Sequence, residues 1–326
     1  MKVSIVSPFY NESLILEKSV ELMISNLSAL QYDWEFIMVN DGSCDGSLEI
    51  ARRLAQKYKK NVRLISYSTN QGRGYALKRG IDAAVGDIIV TTEIDSSWGD
   101  SIVKDLVAVF AENPSVDMVI ASPHLVGGGY RNVPLKRVFL SRWGNQFIRF
   151  LVSKKITMFT GMTRAYRVDV IKNLPVMEKG KEFHLEVVLK ALSFGCRINE
   201  IPCILEWRDD KFQTDTETSK QRTSSSNINK LIASHLFFGI MARPVRYLWG
   251  AGIGFGVTGL LFFGMAVVNL IIGGVAIFFA LSSASLITVA VLFFIFGVLT
   301  TQNSLIQKEM WKIQQDIKVL GEFHKK

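Results

Sequence analysis

Between Tyr247 and Gln307 the sequence has no Asp, Glu, Lys or Arg. The gap runs to about sixty residues, whereas one membrane-spanning helix needs only about twenty. Backbone in hydrocarbon must satisfy its own hydrogen bonds, so the run predicts two helices, Tyr247 to Ile272 and Ala276 to Thr300, turning at Gly273 and Gly274. Lys230, Arg243 and Arg246 precede the pair and Lys308, Lys312 and Lys318 follow it, which puts both flanks on the cytoplasmic side. With no ionisable residue inside either span, a transport pathway is not indicated.

Cysteine is scarce. Cys44, Cys196 and Cys203 form no CxxC pair, and the four histidines are scattered, which argues against a disulfide framework and a zinc site and suits a reducing compartment. A leader peptide is not expected, because Met1 and Lys2 run straight into the strand-like Val3 to Val6. Gly254 to Gly259 spells GxGxxG, but inside a span and after no strand, so a dinucleotide site is rejected. The small residues Gly250, Gly252, Gly254 and Gly256 instead suit close helix packing, either within the chain or in a homo-oligomer.

Acidic residues are nearly absent from one further stretch. Pro123 to Lys172 holds ten Lys or Arg against Asp169 alone, and so accounts for the whole formal charge of +9. Such a block marks an anionic partner: phosphate, a membrane surface or nucleic acid. No recognition helix, zinc finger or aromatic RNA-binding signature accompanies it, so nucleic acid is not expected.

What the first part does have is alternation. Strand patterns at Val3 to Ser7, Trp34 to Asn40, Val62 to Ser68 and Asp87 to Thr92 are separated by helices from about Glu12, about Gly46 and near Tyr75. This predicts an α/β, Rossmann-like domain with a mostly parallel sheet, whose ligands lie beyond the carboxyl ends of the strands. Four motifs fall there. Pro8-Phe9-Tyr10-Asn11-Glu12 combines a fixed backbone with two residues that can cap a helix or touch a ligand. Asn40-Asp41-Gly42-Ser43 has turn composition, and its Asp41 carboxylate, a pure acceptor, could read a nucleobase. Asn70 to Leu77 is a Gly-rich loop, including Gly72, that opens a helix whose amides could face an anion. Glu93-Ile94-Asp95 places two carboxylates on one side of a strand, where they could share Mg or Mn, although Asp95 could equally cap a helix starting near Trp98.

In this order the segments resemble the family 2 glycosyltransferases of GT-A fold, and more narrowly the polyprenyl-phosphate or dolichyl-phosphate mannose and glucose synthases. Gly127-Gly128, Arg137, Ser141, Arg142, Asn145 and Thr160 to Arg167 continue the likeness, which covers about residues 2 to 220. It implies an inverting transfer of a hexose from a nucleotide sugar, UDP-glucose or GDP-mannose, to polyprenyl or dolichyl phosphate at a lipid bilayer. Pro8, Tyr10, Asn11, Glu12, Asp41, Gly72 and Glu93 would hold the donor, and Glu93 with Asp95 the metal. Arg131, Arg137, Ser141 and Arg164 would receive the acceptor phosphate. Three positions depart from the family pattern: Glu93 where Asp is usual, Asn40 where many members have Asp, and His124 where Arg is common.

Other features are read more simply. Glu182 and Glu186 share a helix face and should pair with lysines at the surface, with His184 partly packed between them. Ile201 to Trp207 reads as one late strand, Asp209 to Ser226 as a loop in which Arg208 and Ser219-Lys220 resemble acceptor-side residues, and Asn227 to Arg246 as an interfacial helix. The expected division is a cytosolic domain over 1–226, the interfacial helix over 227–246, the spans over 247–300 and a cytoplasmic amphipathic tail over 301–326. Two alternatives stand beside the main reading: transfer to another lipid or glycan, and a non-catalytic membrane partner that binds a nucleotide sugar.

Overall fold

The computed structural model describes residues 1–180, 182–207 and 244–323. The chain divides into two compact units, Met1–Phe238 and Gly239–Lys326. Arg208, the loop over 209–226 and the expected interfacial helix as far as residue 243 lie outside the described residues.

The first unit is built on the alternation read above. Strands β1 (Lys2–Phe9), β2 (Asp33–Asp41), β3 (Val62–Tyr67) and β4 (Ile88–Thr91) pair in parallel, with helices α1 (Leu16–Ser28), α2 (Ser47–Lys57) and α3 (Arg73–Ala83) crossing between them. Helix α4 (Ile102–Glu112) leads to β5 (Met118–Ser122), and β6 (Gly129–Arg131) is followed by α5 (Leu135–Leu151). Next come β7 (Arg164–Arg167), α6 (Val168–Asn173), α7 (Phe183–Ser193), β8 (Ile198–Pro202) and β9 (Ile204–Glu206). The seven-stranded sheet runs β3-β2-β1-β4-β7-β5-β8, with only β7 antiparallel to its neighbours. Its central strands are buried on both faces, as in a sheet covered by helices: Val3, Ile5, Phe36, Ile37 and Val90 have no exposed surface. The carboxyl ends of β1 to β4 therefore share one edge, and each carries one of the four motifs.

Two expectations need correction here. Ile201 to Trp207 is not one strand: Pro202, which has no N–H to donate, ends β8 in the large sheet, and the chain then joins β6 in a separate two-stranded sheet through β9. Neither Asn11 nor Glu12 caps α1 by its side chain; the helix starts later, and the Glu12 carbonyl accepts from the amides of Ile15 and Leu16.

In the second unit, α8 (Pro244–Ile271) and α9 (Ile277–Phe323) pack against each other. Proline at the first position of α8 costs no helical hydrogen bond. The turn ends α8 by a Schellman arrangement: Gly273 has φ of +74°, its amide donates to Leu270, and that of Gly274 donates to Asn269. Gly259 lies against Ile287 and Gly252 against Phe294, while a Cβ on Gly250 or Gly254 would meet nothing within 4 Å. Of the four spaced glycines, Gly252 and Gly256 thus serve packing within the chain. Both helices are long and apolar enough to cross a membrane, over Pro244–Ile271 and Ile277–Trp311. The expected tail is not a separate element: α9 continues without a break past Thr300, because no Gly or Pro occurs between Gly297 and Gly321.

Candidate active site

The edge formed by β1 to β4 opens into a cavity of about 460 Å³ lined by Pro8, Tyr10, Glu12, Asp41, Asn70, Gly72, Arg73, Glu93, Asp95 and neighbouring backbone. Four loops well separated along the chain thus meet at one place. Met162 and Gly180 complete the wall from much later in the chain. The Met162 carbonyl accepts from Thr91 Oγ1 at 2.7 Å, and the Tyr75 amide donates to the Lys179 carbonyl at 3.0 Å.

Asn11 is the exception among the first-loop candidates, since it holds the loops to each other. It sits at φ of +54°, its amide donates to Ser43 Oγ, and its Oδ1 accepts from the Cys44 amide at 2.9 Å. Asp41 is largely engaged as well. Its carboxylate accepts from Tyr67 Oη at 2.8 Å and from the amides of Gln71 and Gly72 at 2.9 and 3.1 Å. An ionised carboxylate has about four lone-pair directions, so three are occupied by the protein's own loop. Burial, followed by the Asp41 charge, raises the Tyr67 pKa and keeps that phenol a donor. The helix-opening amides expected to face an anion are therefore turned inward at Gln71, Gly72 and Tyr75.

The acidic pair lines the cavity from the turn after β4, which ends at Thr91, and not from alternate positions of the strand as expected. Glu93 Oε2 accepts the indole N–H of Trp98 at 3.0 Å, and its Oε1 lies 3.8 Å from Arg73 Nη1. Asp95 Oδ1 accepts from both the amide and the hydroxyl of Ser97, a local turn that fixes the carboxylate; α4 begins only at Ile102, so Asp95 is not its cap.

The basic segment separates into different environments. Arg164 has no exposed surface and donates to the carbonyls of His184 and Phe159, each at 2.6 Å. This corrects its expected place at the acceptor: β7 lies between β4 and β5, and inward-facing residues there meet the core. Arg131, Arg137 and Ser141 form a group of their own. Arg131 pairs with Glu206 at 3.2 Å, the Arg137 guanidinium stands 4.5 Å from the Trp207 ring centroid, and Ser141 Oγ is 2.9 Å from Tyr130 Oη. Tyr130 also meets His124, whose pKa is pushed down to about 4 by burial and by Arg142, so the imidazole is neutral. This group joins the acidic turn directly, because the Glu206 amide donates to the Ser97 carbonyl at 2.8 Å.

Sequence reasoning missed Arg73, Trp98, Met162 and Gly180. Arg73 had a signal, a lone cation between two glycines of the loop; Trp98 is held to Glu93 five residues away, and only Met162 and Gly180 reach the cavity through tertiary contacts. It also misjudged Glu186 and His184. Glu186 does pair with Lys190, but its carboxylate is buried and accepts from the amides of Met177 and Glu178. His184 is fully buried, with no hydrogen-bond partner for either ring nitrogen among the described residues.

The sequence pattern of glycosyl transferase family 2 matches residues 4–174. The chain is 26% identical over 248 residues to a polyprenol monophosphomannose synthase of Mycolicibacterium smegmatis, covering 74% of this chain and 88% of that one. It is 28% identical over 169 residues to an undecaprenyl-phosphate 4-deoxy-4-formamido-L-arabinose transferase of Pectobacterium carotovorum, with 52% and 50% covered. Among solved structures it is similar to the glucosyl-3-phosphoglycerate synthase of Mycobacterium tuberculosis in complex with Mn2+, UDP-glucose and phosphoglyceric acid. The TM-score there is 0.51 at 19% identity, over 73% of this chain and 79% of that one. The mannosyl-3-phosphoglycerate synthase of Rubrobacter xylanophilus gives 0.53 at 16%, over 76% and 74%. At these identities the structural likeness establishes the fold.

Proposed function

The chain belongs to glycosyl transferase family 2, and from that premise we propose that it transfers a hexose, with inversion, from UDP-glucose or GDP-mannose to a polyprenyl or dolichyl phosphate. The observation that carries this is the link between two oppositely charged groups. The acidic turn at Glu93 to Ser97 is joined through Glu206 to the exposed arginines 131 and 137, so the donor cavity and a phosphate-receiving surface adjoin.

On this reading Pro8, Tyr10, Glu12 and Asp41 hold the nucleotide, Asp41 chiefly by ordering the loop that contacts it. Glu93 and Asp95 offer oxygen donors to one cavity, the donor class that suits Mg or Mn. A divalent cation bound there would offset the charge that grows on the departing nucleoside diphosphate. Arg137 and Arg131, with Ser141, orient the acceptor phosphate, which is anionic near neutral pH and attacks without a side chain to remove a proton. The two apolar helices anchor the enzyme in the bilayer, with the catalytic unit over 1–226 and the end of α9 on the cytoplasmic side.

The test is transfer of radiolabel into lipid. Detergent-solubilised protein receives polyprenyl phosphate, Mg or Mn, and one labelled donor at a time, with Asp95→Asn as control. Labelled lipid from one donor, lost in Asp95→Asn, is the expected result; no labelled lipid from any donor overturns the proposal. A second reading rests on α5, where Leu135, Phe139 and Phe150 are 86, 67 and 74% exposed among basic residues and suit a bilayer surface. The acceptor would then be another lipid, and label would enter diacylglycerol-type lipid instead.

A further inference from the structure

The Gly-rich loop has its amides at Gln71 and Gly72 bound to Asp41, and the amide of Tyr75 bound to Lys179. A helix terminus commonly receives phosphate through such groups. What this loop offers the cavity instead is the side chain of Arg73, the first residue of α3, which lines it together with Glu93 and Asp95. Arg73 Nη1 stands 3.8 Å from Glu93 Oε1, at the outer limit of an ion pair, and the two side chains are 42 and 29% exposed. A pair this open is weak and exchanges partners readily. Meanwhile the Trp98 indole holds the other oxygen of Glu93 at 3.0 Å.

We propose that Arg73 receives the diphosphate of the donor and that Glu93 is shared between Arg73 and the divalent cation, so that cation and nucleoside diphosphate strengthen each other's binding. The proposal rests on the donor reading above. Glu93, once its charge is engaged by a cation, releases the guanidinium, whose planar N–H fork matches two phosphate oxygens. Linkage makes the effect reciprocal: the diphosphate that draws Arg73 away leaves Glu93 to the cation. The longer side chain of Glu, compared with Asp, gives the carboxylate the reach to serve both partners.

Calorimetric titration of UDP, GDP and their nucleosides into the detergent-solubilised full chain, in EDTA and in Mg, tests this. Arg73→Ala should weaken binding of the nucleoside diphosphate that the wild type takes by about tenfold or more and leave the nucleoside unchanged. Arg73→Lys should recover part of the loss. Glu93→Gln should tighten diphosphate binding in EDTA and remove the enhancement by Mg. Melting curves identify any variant that fails to fold, and Arg73→Gln replaces Arg73→Ala if it does. Equal diphosphate affinity in the wild type and the folded Arg73 variant overturns the proposal while the donor reading stands. So does a Glu93→Gln protein that binds diphosphate more weakly in EDTA. A wild type that takes neither UDP nor GDP defeats the donor reading, and this proposal with it.

Discussion

The donor loops and the basic segment over 123–172 solve opposite problems. Around the cavity, carboxylates at Asp41, Glu93 and Asp95 are each held by protein donors, so negative charge is gathered and fixed where a cation and sugar nucleotide would sit. In the basic segment, arginines of identical chemistry have quite different uses: Arg164 is a buried strut between two carbonyls, Arg131 a surface ion pair, and Arg137 a guanidinium over an indole. Residue type gives the charge, but burial decides whether that charge is offered to a ligand or consumed by the fold.

The strongest test of this contrast is on the acidic side. Asp95→Asn should lower transfer by about a thousandfold, as removal of one preorganised electrostatic group commonly does, with an unchanged melting temperature. Arg164→Ala should act the other way round. Stranding two buried carbonyls should cost about 3 kcal/mol of stability, seen as a lowered denaturation midpoint, and Arg164→Lys should not restore it because one ammonium cannot reproduce the fork. Asp41→Asn falls between the two, since the amide loses one acceptor oxygen and puts N–H groups against backbone N–H groups. A loss of about 2 kcal/mol and weaker donor binding should appear together. Arg137→Ala, on the exposed group, should raise the KM for polyprenyl phosphate by about tenfold with little change in melting temperature. An Arg137 variant that unfolds, or an Arg164 variant that folds normally and loses acceptor binding, would break the contrast.

The smallest effect is on pH. Burial and Arg142 push His124 down to about 4, and burial with the charges of Arg164 and Arg73 holds His184 well below the usual 6.5. Both stay neutral when folded and take up protons when unfolded, so their contribution is complete above about pH 6.5 and falls away as pH drops below it. His124→Gln should flatten the loss of stability between pH 6.5 and 4.

Much of the molecule is legible in the residues alone. The mostly parallel sheet containing β1 to β4, the motifs at their carboxyl ends and the two apolar helices follow from period, turn residues and the absence of charge. The break at Cys203 had one local signal, Pro202, but the rest of Ile201 to Trp207 is strand-like and only the pairing partners reveal that its two parts join different sheets. The long extent of α9 was hidden by composition, since the change from apolar to polar at Thr300 marks a change of surroundings and not of backbone.

The sequence by itself determined which loops carry chemistry, for those signals are local: a turn, a glycine run, a carboxylate pair just beyond the end of a strand. Only the tertiary structure decided what each group does there. It spent the loop amides on Asp41 and Lys179, brought Arg73 to Glu93, and buried Arg164 while leaving Arg137 exposed. The reason is physical: the role of a polar group depends on its solvation and its partners, and those come from residues that distance along the chain does not reveal.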